Sequence, residues 1–164
     1  MKNKIISRPQ ITGLISNLKK KRQKIVFTNG CFDLLHVGHV RYLQEARAMG
    51  DCLVIGLNSD QSLRRIKDPA RPLISEAQRA EVLAALECVD YIVLFDEDVP
   101  FALIEEVRPD VLVKGADWSL DKIIGADLVL SYGGEVRRVD LVPSISNSEI
   151  INRIISRYGK SNGR

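Results

Sequence analysis

The chain has 164 residues, a formal net charge of +3, 45% hydrophobic and 27% charged residues. That balance fits one globular domain and excludes a fibrous or disordered chain. No apolar run approaches the ~20 residues of a membrane span, no signal peptide is evident, and Cys31, Cys52 and Cys88 lack metal or redox spacing, so a cytoplasmic protein that binds no membrane is expected.

The first expected element is a helix over residues 12–22, with Ile11, Leu14, Ile15 and Leu18 on one face. That face either covers a sheet or serves a homodimer interface. The basic run Lys19, Lys20, Lys21, Arg22 and Lys24 follows, and Arg153, Arg157, Lys160 and Arg164 mirror it at the other end. Both clusters read as solvated charge, or as surfaces that attract phosphate-bearing ligands. A strand is expected at 25–28, then a helix over 38–49 with Val40, Leu43 and Ala46 inward and Gly50 as its stop. A second strand spans 52–57, and residues 64–72 read as a polar loop able to act as a lid. Ser75 and Gln78 have the spacing of a capping box, opening a helix that carries Ala80, Leu83, Ala84 and Ala85. A third strand at 91–95 precedes a helix between Pro100 and Pro109, and a fourth strand lies at 111–113. A helix over 121–131, a strand at 136–139 and a helix over 148–157 complete the chain.

Several of these runs are apolar on both faces, as strands of a covered parallel sheet are. The alternation predicts a Rossmann-like three-layer α/β sandwich with a mostly parallel five-stranded sheet. It forms one domain over 1–164, with a core of about 24–157 behind an N-terminal helix. Such sheets bind ligands at the carboxyl ends of their strands, near a switch point.

The stretch from Phe27 to Val40 runs from the first such strand end into a helix. Thr28, Asn29 and Gly30 read as a small polar turn whose backbone can approach a phosphate, and the helix start adds positive potential. His36 and His39, the only 2 histidines of the chain, stand one helical turn apart. Two imidazoles there can reach one phosphate group. The alternatives are a helix cap with a buried histidine, or a zinc site, although no third ligand has suitable spacing.

Gly30-Cys-Phe-Asp-Leu-Leu-His-Val-Gly-His39 resembles the G-x-F-D-x-x-H-x-G-H motif of the cytidylyltransferase-like nucleotidylyltransferases. The resemblance extends over about residues 24–154. Asn58-Ser-Asp60, Arg71-Pro72 with Glu76-Ala-Gln-Arg79, Val113-Lys-Gly-Ala-Asp-Trp118, and Ser144-Ile-Ser-Asn-Ser-Glu-Ile150 all resemble segments of sugar-phosphate members. Among these, the D-glycero-β-D-manno-heptose 1-phosphate adenylyltransferases are the most similar, and the chain looks like a stand-alone form. Asn147 departs from the family's usual Thr, and Ala116 from its second Gly.

The resemblance implies adenylyl transfer from ATP to a sugar phosphate, with magnesium arriving on the triphosphate and no protein metal ligand. It implies that His36 and His39 stabilise the transferred phosphate, and that Lys114 and Arg79 reach phosphates. Nucleotide contacts are expected from Thr28, Asn29, Gly30, Cys31, Phe32, Asp33, Gly38, Asn58, Asp60, Gly115, Asp117, Ser146, Asn147 and Ser148, and acceptor contacts from Lys67 and Arg71. Asp33 reads as a brace of the histidine turn or a direct ligand, Asp117 as a base or ribose acceptor or a helix cap, and Trp118 as a wall of the base site or plain packing. The partners implied are small molecules, with no nucleic acid. Two other readings remain open: a glycerol-3-phosphate cytidylyltransferase using CTP, and a non-catalytic nucleotide- or RNA-binding module supported only by Lys19 to Arg22.

Overall fold

The computed structural model describes residues 3–67 and 69–159, so Lys160 and Arg164 of the basic tail lie outside the described residues. The strands are β1 (Ile5–Ile6), β2 (Ile25–Gly30), β3 (Cys52–Asn58), β4 (Tyr91–Phe95), β5 (Val111–Gly115) and β6 (Glu135–Val139). The helices are α1 (Ile11–Lys20), α2 (Val37–Arg47), α3 (Asp60–Ile66), α4 (Glu76–Ala84), α5 (Phe101–Val107), α6 (Ala126–Ser131) and α7 (Asn147–Tyr158). The strands form one sheet in the order β1-β4-β3-β2-β5-β6, and every pairing is parallel.

Alternation along the strands divides the core in two. Ile25, Phe27, Val54, Val93 and Leu112 face one side, where α1, α5 and α6 supply Ile11, Ile15, Leu103, Val107 and Val129. Val26, Leu53, Ile55, Ile92 and Val113 face the other, where α2 and α4 supply Leu43, Ala46, Ala80 and Leu83. All seven residues of β3 are buried, as a strand covered on both faces requires.

The sheet has six strands rather than the expected five. β1 is only two residues long, too short to stand out as a pattern, yet Ile5 and Ile6 pair with Ile92 and Val93. The strand expected at 25–28 runs on to Gly30, so Asn29 and Gly30 lie in the ladder opposite Gly56 and Leu57 and form no turn. Part of the expected loop 64–72 is helical: α3 begins at Asp60, and the Ser59 hydroxyl caps it by accepting from the Ser62 amide at 3.0 Å. The helix expected over 121–131 is broken. Gly125, at φ 84°, separates a 3₁₀ turn at Leu120–Lys122 from α6, and a Cβ there would sit 2.8 Å from Ile104. The Ser75 box does not form, because its hydroxyl donates to the Gln78 side chain at 3.1 Å instead.

The apolar face of α1 is spent on the sheet, with Ile11, Ile15 and Leu18 buried and Leu14 packed against them, so those residues are not a dimer interface. Among the described residues no helix is long and apolar enough to cross a membrane. Ile11 is fully buried beneath the sheet. Ile11→Ala is expected to lower stability by about 2–5 kcal/mol through lost burial and a residual cavity, read as a lower urea midpoint at unchanged slope.

Candidate active site

β2 lies at the centre of the sheet, and the chain leaves it first toward β3 and β4 and later toward β5 and β6. The loops at the carboxyl ends therefore part between β2 and β5, and a cavity of about 840 Å³ opens there. Of the residues singled out from the sequence, all but three line it. Thr28, Asp60 and Arg79 do not.

The floor is the turn between β2 and α2. Phe32 takes a left-handed φ of 46°, which lays its ring against Gly30, where a Cβ would meet it at 3.0 Å. The same ring stands edge-on to His39, with centroids 5.2 Å apart. His36 is the extended N-cap of α2, and the rings of His36 and His39 stack at 3.8 Å and 21°. Gly38 makes this possible: a Cβ there would lie 2.9 Å from the His36 ring and 3.3 Å from Ile145.

The Nδ1 atoms of both histidines and Oδ1 of Asn147 are buried without a hydrogen-bond partner. Buried polar atoms are rarely left so, and all three belong to side chains that line the cavity. Burial, reinforced by neighbouring His36, pushes His39 down to about 4. Burial also lowers His36, against the opposing pull of Glu149. Both rings are therefore neutral near pH 7, each with one N–H donor.

On the β5 side, Lys114 donates to the Asn29 side chain. Burial draws it down to about 8, against the opposing pull of the neighbouring Cys31 and Asp117 side chains. Burial raises the Cys31 thiol, which therefore stays protonated. Asp117 folds back over Gly115, where a Cβ would sit 2.5 Å from its carboxylate. Trp118, 47% exposed, completes that rim. The N-terminus of α7 brings Ser146, Asn147 and Ser148, with the Ser146 hydroxyl accepting from the Glu149 amide at 3.2 Å.

Thr28 is wholly buried; its hydroxyl lies 2.7 Å from that of Tyr42, which also donates to the Val113 carbonyl at 3.1 Å. Thr28 thus holds β2, β5 and α2 together and does not line the cavity. Tyr42 does line the cavity and was missed from sequence, although it stands one helical turn after His39. Ile66, Asp98, Val99, Ile124, Leu141 and Ile145 were also missed, because apolar or lone acidic loop residues carry no motif.

The β3 side carries Lys67 and Arg71. Asp33 does not brace the histidine turn as expected. Its carboxylate accepts from Arg71 Nη1 at 2.7 Å and from the amides of Leu73 and Ile74 at 2.9 Å each, so it holds the segment 71–74. Arg79, expected at a phosphate, is 1% exposed. Its guanidinium donates to the carbonyls of Cys31 at 2.5 Å, Ile74 at 3.0 Å and Asn58 at 2.9 Å, and to the carboxylate of Asp60 at 2.8 Å. A buried charge requires such partners, and they leave Arg79 beneath the site. Asp60 is correspondingly its ion-pair partner and does not line the cavity. Among the described residues no three His, Cys, Asp or Glu converge as a metal cluster.

The family model described as cytidylyltransferase-like matches residues 27–153. The bifunctional protein HldE of Syntrophotalea carbinolica is 56% identical over 156 residues, covering 95% of this chain and 32% of that protein. The protein of the same name from Geobacter metallireducens is 56% identical over 150 residues, covering 92% of this chain and 31% of that one. The chain thus spans about a third of the length of these relatives, 32% and 31%. Among solved structures, the lipopolysaccharide core biosynthesis protein from Thermoplasma volcanium is similar at a TM-score of 0.59 and 30% identity, over 73% of this chain and 97% of that one. Pantoate-beta-alanine ligase from Francisella tularensis is similar in fold alone, at a TM-score of 0.63 and 17% identity, over 93% of this chain and 77% of that one.

The histidine environment has a measurable consequence. An unfolded chain takes up protons at histidine near 6.5, whereas folded His39 resists protonation down to about 4. Stability therefore falls as pH drops through that window, because the unfolded state binds more protons. The His39 ring resonances are expected to titrate near pH 4 in the ligand-free protein. The acid loss of stability is expected to be smaller in His39→Gln than in the wild type, measured by urea unfolding across the same pH range.

Proposed function

Because this chain belongs to the cytidylyltransferase-like family, we propose that it transfers an adenylyl group from ATP to a sugar phosphate, best D-glycero-β-D-manno-heptose 1-phosphate. The products are ADP-heptose and pyrophosphate. The observation that carries this reading is the stacked pair His36 and His39, its Nδ1 atoms unpartnered, at the floor of a cavity walled by cations on two sides. The heptose rests on the sugar-phosphate segments of the sequence and on relatives at 56% identity.

The reaction joins a phosphate oxygen of the acceptor to the α-phosphorus of ATP and breaks the bond from that phosphorus to the bridging oxygen. The protein supplies alignment and charge stabilisation and forms no covalent bond. The triphosphate lies on the β5 side, where Lys114 and the α7 N-terminus with Ser146, Asn147 and Ser148 present donors to its oxygens. Asp117 accepts from a base amino group or a ribose hydroxyl, and Gly30, Cys31 and Gly38 allow the chain to approach the phosphates. The acceptor phosphate lies on the β3 side against Lys67 and Arg71. His36 and His39 stand between the two and donate to the non-bridging oxygens as charge develops there. A donor set of amides, hydroxyls, imidazoles and ammonium fits a magnesium ion that is carried in on the triphosphate and ligated by phosphates and water. Bound there, it neutralises part of the phosphate charge. A cytoplasmic setting, where ATP is available and thiols stay reduced, suits three cysteines that form no disulfide.

The test is pyrophosphate release with magnesium, ATP or CTP, and heptose 1-phosphate or glycerol 3-phosphate. Release with ATP and the heptose alone is expected. Release with CTP and glycerol phosphate would assign the other transferase activity, and silence in all four mixtures would sink the reading. His36→Ala is expected to lower kcat by about 10²–10³ while unfolding remains cooperative, and an unchanged kcat would remove the histidine from the mechanism.

A further inference from the structure

We propose that Arg79 and Asp33 are positioning residues for the acceptor side of the cavity alone, and so govern binding of the sugar phosphate and not of ATP. This inference rests on the reading above that places the acceptor phosphate at Lys67 and Arg71.

The peptide groups of Ile74 are gripped on both sides. Its amide donates to Asp33 at 2.9 Å, and its carbonyl accepts from Arg79 at 3.0 Å. Leu73 adds a second amide to Asp33 at 2.9 Å, and Arg71 a guanidinium nitrogen at 2.7 Å. Arg79 reaches the Cys31 carbonyl at 2.5 Å with another of its nitrogens. Three hydrogen bonds therefore tie the turn at 31–33 directly to the segment 71–74, and Arg79 bridges the two with one bond to each. Both charged groups are buried, Asp33 at 5% and Arg79 at 1% exposure, so water competes little for their partners.

The remaining partners of Arg79, Asn58 and Asp60, lie at the end of β3 and the start of α3. Its four partners are thus Cys31 in the turn and Asn58, Asp60 and Ile74 on the β3 side. Lys114 and the N-terminus of α7, which supply the donors to the triphosphate, receive none of these bonds; of the groups placed beside it only the Cys31 carbonyl does. Arg71 lines the cavity with one nitrogen held by Asp33, and a guanidinium has donors to spare for a phosphate. Loosening Arg79 therefore moves one wall and leaves the other in place. Lysine cannot replace it, because one ammonium cannot span carbonyls that the planar fork reaches separately.

The test uses the full chain with Arg79→Lys, Asp60→Asn and Asp33→Asn. KM for each substrate is measured separately, and amide hydrogen exchange at Leu73 and Ile74 is followed with and without inorganic phosphate. In all three variants KM for the sugar phosphate is expected to rise about 10- to 100-fold, with KM for ATP within about twofold and both amides exchanging about 10-fold faster. An equal rise in both KM values, or unchanged exchange, overturns the proposal. Should Arg79→Lys not fold, Asp60→Asn decides by the same readings, since that carboxylate is partly exposed. If the wild type releases no pyrophosphate, the proposed reaction fails on its own. Protection of Leu73 and Ile74 by phosphate, lost in Asp60→Asn, would then still support the braced phosphate wall, and no protection in the wild type would overturn it.

Discussion

Everything at the site depends on the parallel direction of the sheet. Because all strands run the same way, all their carboxyl ends and following loops gather at one edge. β2 stands in the middle, and the chain spreads from it to β3 on one side and, later, to β5 on the other. No crossover covers the gap between those two loop sets, so a cavity is left there without any side chain being sacrificed to make it. The two apolar layers of the core fix the strands from both faces, which keeps that edge stiff.

On this edge the histidine turn is held by shape. Phe32 in a left-handed conformation, Gly30 beneath its ring and Gly38 beneath the His36 ring allow two imidazoles to stack where larger residues would clash. Burial removes the charge from both rings, aided at His39 by neighbouring His36, and leaves each with one N–H donor. The same burial strengthens any hydrogen bond that these rings make.

The two walls are built differently. The β5 wall is a strand end and a helix N-terminus, both part of the regular scaffold. The β3 wall is an irregular segment, 71–74, that has no ladder of its own and is held by Asp33 and Arg79 instead. A segment outside regular structure must find partners for its backbone groups, and here charged side chains provide them from below.

Most of the architecture was legible in the sequence, because period and punctuation are local signals. The apolar runs at 52–57 and 91–95 and the glycine after α2 mark strands and a helix stop directly, and the spacing of His36, Gly38 and His39 at a strand-to-helix turn marks the site. Three features depended on partners distant in the chain. β1 is a strand only because Ile92 and Val93 lie beside it. The helix breaks at Gly125 in a left-handed residue, where Ile104 leaves no room for a Cβ. Arg79 looked like a phosphate ligand because its type and place are right for one, yet carbonyls 48 and 21 residues away claim its donors. Residue type and spacing determine what chemistry a chain can offer. Only the folded arrangement decides which groups are consumed by the scaffold and which are left facing the cavity, since burial and hydrogen-bond partners are set by contacts between segments.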